Sequence, residues 1–171
     1  DQVGAFAQVV PHHDVPGFNI LFGCFGVSVA RQVHQVHGGC ALPGYGYAKA
    51  SKKDIEAWNI MMRNYLRKRP NLVCVMQLLD SRLPPQKVDL EFTNQLGEWS
   101  VPFVMVYTKT DKGSMVKARQ NADAYGKAML ATWEEVPPVY WSSAEDGRGR
   151  MELLTFLRDC SSSYQDVSPN P

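Results

Sequence analysis

The first part of this chain holds almost no charge. Before Gly44 the only charged residues besides histidines are Asp1, Asp14 and Arg31, and the first lysine anywhere is Lys49. No apolar run approaches the roughly 18 residues of a membrane span. The N-terminus lacks the basic start and apolar centre of a secretory signal. Cysteine is scarce and scattered (Cys24, Cys40, Cys74, Cys160), which excludes a disulfide framework and points to a reducing, intracellular compartment. The net charge of +1 provides no global field for nucleic acid or membrane. What is present suits one compact domain: 171 residues, of which 44% are hydrophobic, enough for a real core.

Charge becomes dense only downstream of about residue 40, and there the elements are easy to read. Residues 1–17 carry Pro11 and Pro16 without a steady period and read as irregular. Phe18 to Phe22 reads as a strand, followed by Gly23-Cys24-Phe25-Gly26-Val27-Ser28 and a short helix through Val33. Ala41 to Tyr47 is a Gly-rich turn. Ser51, with Asp54 three residues on, fits a helix N-cap. Ile55, Trp58, Met62, Tyr65 and Leu66 then repeat at helical spacing as far as Lys68. The opposite face carries Lys52, Lys53, Arg63, Arg67 and Lys68, a solvated face with a charge that also suits RNA phosphates.

From residue 72 strands and helices alternate. Leu72 to Leu79 and Phe103 to Tyr107 are short apolar runs of the kind buried on both faces of a parallel sheet. Val139 to Trp141 is a third. Between them lie a helix begun by Pro84 and Pro85, with Val88, Phe92, Leu96 and Trp99 on one side, and a helix from about Ser114 to Thr132, with Ala118, Ala122, Tyr125 and Met129 inward. A last helix follows Gly147 and Gly149 and carries Leu153, Leu154, Leu157 and Cys160; Ser161 to Pro171 reads as a frayed polar tail. This alternation predicts a three-layer α/β fold: a mainly parallel sheet with helices on both faces. The strand ends at Asp80, Thr108 and Ser142 then share one edge, where open α/β sheets bind ligands.

The run after Tyr107 is Thr108-Lys109-Thr110-Asp111. Asp111 has the acceptor pair to take two hydrogen bonds from the N–H edge of a guanine, and the Lys109 stem can lie along the flat face of the base. The simpler reading is a strand that ends in a polar turn. Asp80 and Arg82 read as a strand-end ion pair or polar cap, and the four tryptophans as packing residues. His34-x-x-His37-x-x-Cys40, with His12 or His13, has spacing that zinc can use, but no second paired ligand motif accompanies it, and no metal site is assigned.

Taken together these residues resemble the EngB (YihA) family of GTP-binding proteins, over about residues 40 to 160. The most specific stretch is Leu42-Pro43-Gly44-Tyr45-Gly46-Tyr47-Ala48-Lys49, similar to the family's switch II, with Trp58 in the helix that follows. Arg67 to Arg69, Leu78-Leu79-Asp80-Ser81-Arg82 and Asp89-Leu90-Glu91 also follow the family pattern. The resemblance implies a P-loop-GTPase-like fold and a role in assembly of the large ribosomal subunit. It also implies a GTP-binding set of Thr108, Lys109, Asp111, Ser142, Ser143, Ala144 and Gly44. In that set Gly44 senses the γ-phosphate, and the Ser142-Ser143-Ala144 loop turns backbone N–H groups to the guanine oxygen.

The phosphate half of the pattern is missing. A Walker-A loop needs Gly, four residues, then Gly-Lys-Ser/Thr. No lysine precedes Lys49, and Gly23-x-x-Gly26-x-Ser28 has neither the spacing nor the cation. The Asp that organises Mg²⁺ in the family is Ala41 here. By typical element sizes the usual architecture upstream needs roughly fifty or more residues, so the N-terminal third, 1–39, is expected to be irregular or incomplete. Phosphate and Mg²⁺ contacts supply the stabilisation for phosphoryl transfer, and losing one such group costs on the order of 10²-fold in rate. Weak nucleotide binding and little or no hydrolysis are therefore expected. The alternative is a pseudo-GTPase that binds ribosomal RNA or protein through its basic helix face. Under either reading the chain is expected to be a monomer, in the cytoplasm or an organelle.

Overall fold

The structure is a computed structural model that describes residues 19–23, 40–41, 52–68 and 72–167, with side chains at 56, 60–68 and 72–160. Several expectations fall outside these residues: the Gly-rich run 42–49 with Gly44, the histidines, Ser28, Ser51 and the side chain of Trp58. Five strands form one sheet: β1 (Asn19–Gly23), β2 (Cys40–Ala41), β3 (Leu72–Asp80), β4 (Phe103–Thr108) and β5 (Val139–Trp141). Their order is β2-β1-β3-β4-β5, and every pair is parallel. Four helices accompany them among the described residues: α1 (Lys52–Lys68), α2 (Lys87–Glu98), α3 (Met115–Met129) and α4 (Arg150–Val167).

Period-two alternation sorts the side chains of β3 and β4 to two faces. Val75, Leu79, Phe103, Met105 and Tyr107 meet Met62 and Leu66 of α1, Phe92 and Leu96 of α2, and Tyr125 and Met129 of α3. Cys74, Met76, Leu78, Val104 and Val106 meet Leu153, Leu157 and Cys160 of α4. Helices thus cover both faces, the expected three-layer arrangement. Full burial of Leu78, Leu96 and Leu157 contributes roughly 1.5–3 kcal/mol each. The crossovers β3-α2-β4 and β4-α3-β5 step the same way across the sheet. Right-handed connections therefore put α2 and α3 on one face.

Three local expectations change. Val88, in the first turn of α2, is 37% exposed rather than inward. That helix begins at Lys87 behind an N-cap at Gln86; Pro84 and Pro85 precede it. The last helix does not end near Cys160 but runs on to Val167, just short of Ser168-Pro169. Proline disfavours helical backbone in the residue before it. The other strands and helices among the described residues agree with the reading to within a few residues, and the short helix read through Val33 lies outside them. Ser114 caps α3 by accepting a hydrogen bond from the Val116 N–H at 3.2 Å.

The sheet order places the site. β1 has β2 on one side and β3 on the other, so the direction of strand addition reverses between β1 and β3. Ligands of open α/β sheets bind outside the carboxyl ends of the strands at such a reversal. Gly23 and Asp80 end the two strands there, and the ends of β4 and β5 continue the same edge.

Candidate functional site

Three loops leave that edge, and hydrogen bonds join them into one unit. Asp80 ends β3 directly opposite Thr108, which ends β4. The Ser81 N–H donates to the Thr108 carbonyl at 3.1 Å, and the Thr108 hydroxyl donates back to the Leu79 carbonyl at 3.0 Å. Thr110 gives both its N–H and its hydroxyl to the Ser142 carbonyl, at 3.2 and 3.1 Å. The Ser142 N–H donates to the Tyr107 carbonyl at 2.7 Å. Arg148 closes the third loop by donating from Nη1 to the Thr110 carbonyl at 3.2 Å. Asn121 of α3 reaches up to donate to the Ser81 carbonyl at 2.9 Å. The late loops therefore converge on one place, as the sequence reading requires.

Lys109 turns the chain away from the strand with φ +58°, a left-handed conformation that costs an L-residue roughly 1–2 kcal/mol. Its Nζ lies 2.8 Å from Asp80 Oδ2. Asp80 is also gripped by Arg82, whose backbone N and Nε donate to Oδ1 (3.1 and 2.9 Å) and whose Nη2 donates to Oδ2 (2.7 Å). The strand-end ion pair is thus present, with a second cation added to it. Partial burial raises the Asp80 carboxyl, but the hydrogen bonds from Arg82 and Lys109 outweigh it and leave the group well below its usual range.

Asp111 stands two residues further on. Its Oδ1 accepts a hydrogen bond from the Ser143 hydroxyl at 2.6 Å, and Lys112 Nζ lies 3.3 Å from Oδ2. The Ser143 bond, with Lys112 added, holds this carboxyl below the ordinary value, so it is an anion at neutral pH. Ser143 is itself fixed: its Oγ accepts from the N–H groups of Glu145 and Asp146, at 3.1 and 3.2 Å, and its own N–H donates to the Arg148 carbonyl. Ser142 and Ser143 are buried, and Ala144 emerges exposed beside them. Gly149 permits the return of this loop: its φ is +72°, and a Cβ there would lie 1.7 Å from the Trp141 carbonyl oxygen.

The geometry therefore unites six of the seven expected residues, Thr108, Lys109, Asp111, Ser142, Ser143 and Ala144. Thr108 and Ser142 serve as struts rather than as exposed contacts. Gly44 lies outside the described residues. Sequence reasoning missed Thr110, Asn121 and Arg148. Asn121 left one trace, a polar residue on the inward Ala118–Tyr125 face of α3; Thr110 left another, its place inside the Thr108–Asp111 run, and Arg148 left none. Among the described residues no group of three or more His, Cys, Asp or Glu is placed to hold a metal ion. Ala41, at the family's Asp position, ends β2 with a methyl group. The described residues thus offer no set that fits a magnesium site.

No family model matches the chain. Among curated proteins it is 41% identical over 124 residues to the probable GTP-binding protein EngB of Phocaeicola vulgatus, covering 72% of this chain and 62% of that one. To the protein of the same name in Flavobacterium psychrophilum it is 45% identical over 127 residues, covering 74% and 60%. The chain spans about three-fifths of the length of the curated relatives it matches. Among solved structures, a probable GTP-binding protein engB superposes with a TM-score of 0.67 at 15% identity, over 83% of this chain and 97% of that one. Era, crystallised with MgGDPNP and a segment of 16S ribosomal RNA, superposes with a TM-score of 0.60 at 17% identity, over 86% and 57%. Those two likenesses establish the fold as that of a P-loop GTPase domain. The sequence identity to the curated relatives shows that this chain belongs to the EngB family of GTP-binding proteins.

Proposed function

We propose that this chain binds a guanine nucleotide through its Lys109–Asp111 and Ser143–Ala144 loops and serves assembly of the large ribosomal subunit. The working unit is residues 40–160, acting as a monomer inside the cell. One observation carries the base assignment: an ionised Asp111 that Ser143 fixes at the carboxyl edge of the sheet, beside a strand reversal. A carboxylate is acceptor-only, and its two oxygens match the N1–H and exocyclic N–H of guanine. Asp111 fixes selectivity, Lys109 offers its stem to the face of the base, and the Ala144 N–H is offered to the guanine oxygen. None of these residues does phosphoryl chemistry, and no step is drawn through Mg²⁺. The ribosomal role rests on family membership. Every named curated relative is a GTP-binding protein, which weighs against a nucleotide-free RNA-binding module.

Asp111→Asn tests the base assignment. An amide in place of the carboxylate presents a donor where xanthine carries an oxygen, so preference should move from GDP towards XDP. An unchanged preference removes Asp111 from the site. For the ribosomal role, co-sedimentation with large subunits that rises on adding GTP is expected, and no co-sedimentation in either state overturns it.

A further inference from the structure

The cation of Lys109 is not free to follow a ligand. It is tied across two strands to Asp80, the last residue of β3. We propose that Asp80 is a positioning residue for nucleotide binding: it anchors the Lys109 ammonium so that the lysine stem stands ready as a platform for the base. This inference rests on the base-binding reading above and adds to it a residue that makes no contact with the base.

Asp80 is built as an anchor. Its side chain is only 9% exposed, whereas those of Lys109 and Arg82 are 38% and 46% exposed. Arg82 pins both carboxylate oxygens, leaving Oδ2 aimed at Lys109 Nζ. A lysine has four rotatable bonds to its ammonium, and ordering them on binding weakens affinity unless they are ordered beforehand. Left-handed backbone at Lys109 directs the start of the side chain, and Asp80 holds its end. Both residues of the tether come from the late strands.

A plain strand-end ion pair at this exposure would matter little to anything, since such pairs are commonly near neutral for stability. The two roles separate by experiment on the full chain, with GDP as the probe in isothermal titration and thermal melting alongside. D80N should weaken GDP binding on the order of tenfold, as expected for losing a hydrogen bond to a charged group, while the chain still melts in one cooperative transition. In the K109A background the same substitution should add nothing, and R82A alone should not reproduce the tenfold loss. If K109A weakens binding but D80N leaves it within twofold, the anchoring role is overturned and the base reading stands. If the D80N loss persists in full on K109A, Asp80 acts by another route and the proposal is overturned. Should K109A itself leave GDP affinity unchanged, the platform reading of Lys109 falls and this inference with it. If D80N does not fold, the ¹⁵Nζ resonance of Lys109 in the parent chain decides: a slowly rotating ammonium supports the tether, and a freely rotating one overturns it.

Discussion

The hydroxyl of Ser143 donates to Asp111 Oδ1 at 2.6 Å while accepting from the N–H groups of Glu145 and Asp146. One buried side chain thus orients the carboxylate and shapes the loop that faces it. Ser143→Ala removes both at once. It should cost about 1–2 kcal/mol in urea unfolding, because two loop N–H groups lose their acceptor. GDP affinity should fall with it, as Asp111 becomes free to rotate. Wild-type stability together with wild-type affinity in this variant would show that the contact is incidental.

The acidic limit follows from the two carboxylates. Asp80 and Asp111 both have folded values below the ordinary carboxylate value of about 3.9. A depressed folded value gives stability that is present above the unfolded value and is lost as pH falls through the folded one. These groups therefore leave stability level from about pH 5 to 8 and erode it below about pH 4. GDP binding through the proposed Asp111 contact, made by the ionised carboxylate, should follow the same course. A titration of binding with a midpoint near pH 6 would assign control to some other group.

Gly149 and Gly113 make a matched pair. A Cβ at Gly149 would meet the Trp141 carbonyl at 1.7 Å on a backbone with φ +72°, whereas a Cβ at Gly113 meets nothing within 4 Å. Gly149→Ala should destabilise by more than about 2 kcal/mol, and Gly113→Ala should stay within about 0.5 kcal/mol. Chemical denaturation of both variants checks the pair. Equal effects would mean that the loop after β5 is not built as described.

Leu96 tests the core under the site. It is fully buried among the residues that α1, α2 and α3 share with the sheet. Leu96→Ala should cost about 2–5 kcal/mol, against almost nothing for Val116→Ala at a position 67% exposed.

Nucleotide affinity tests the phosphate half. With no lysine before Lys49 and Ala41 in place of the family's Asp, the chain should bind GDP little better than guanosine and should show no measurable GTP turnover. A dissociation constant for GTP of about 1 μM or tighter in the presence of Mg²⁺ would overturn this.

Much of the site was legible because its residues stand at the ends of short apolar runs. Phe103 to Tyr107 reads as a buried strand, so Lys109 and Asp111 fall at its carboxyl end by simple counting. Val139 to Trp141 does the same for Ser143. The contacts that matter most were not legible. Asp80 and Lys109 are 29 residues apart and meet only through the register that sets Asp80 against Thr108. Arg148 reaches Thr110 over 38 residues, with nothing in either residue to announce it. Val88 carries the right period for the core, but it stands in the first turn of α2 and is 37% exposed. The Ser161–Ser163 run hid the rest of α4, since serine has only modest helix propensity. Before Gly44 neither charge alternation nor period is available, so little could be read there beyond the strand near residue 20 and a short helix through Val33.

The sheet order also bears on how the chain finds its structure. Pairing β3 with β4 brings together Val75 and Phe103, whereas pairing β1 with β3 must join Leu21 to Val75 across about twice that separation. A doubling of the closed loop costs about 0.6 kcal/mol in chain entropy, a bias of roughly threefold towards the later pairing forming first. The segment that folds soonest is thus the one that carries Asp80, Lys109, Asp111 and Ser143. A ribosome synthesising this chain therefore releases β1 and β2 before β3, the strand that joins them to the rest of the sheet.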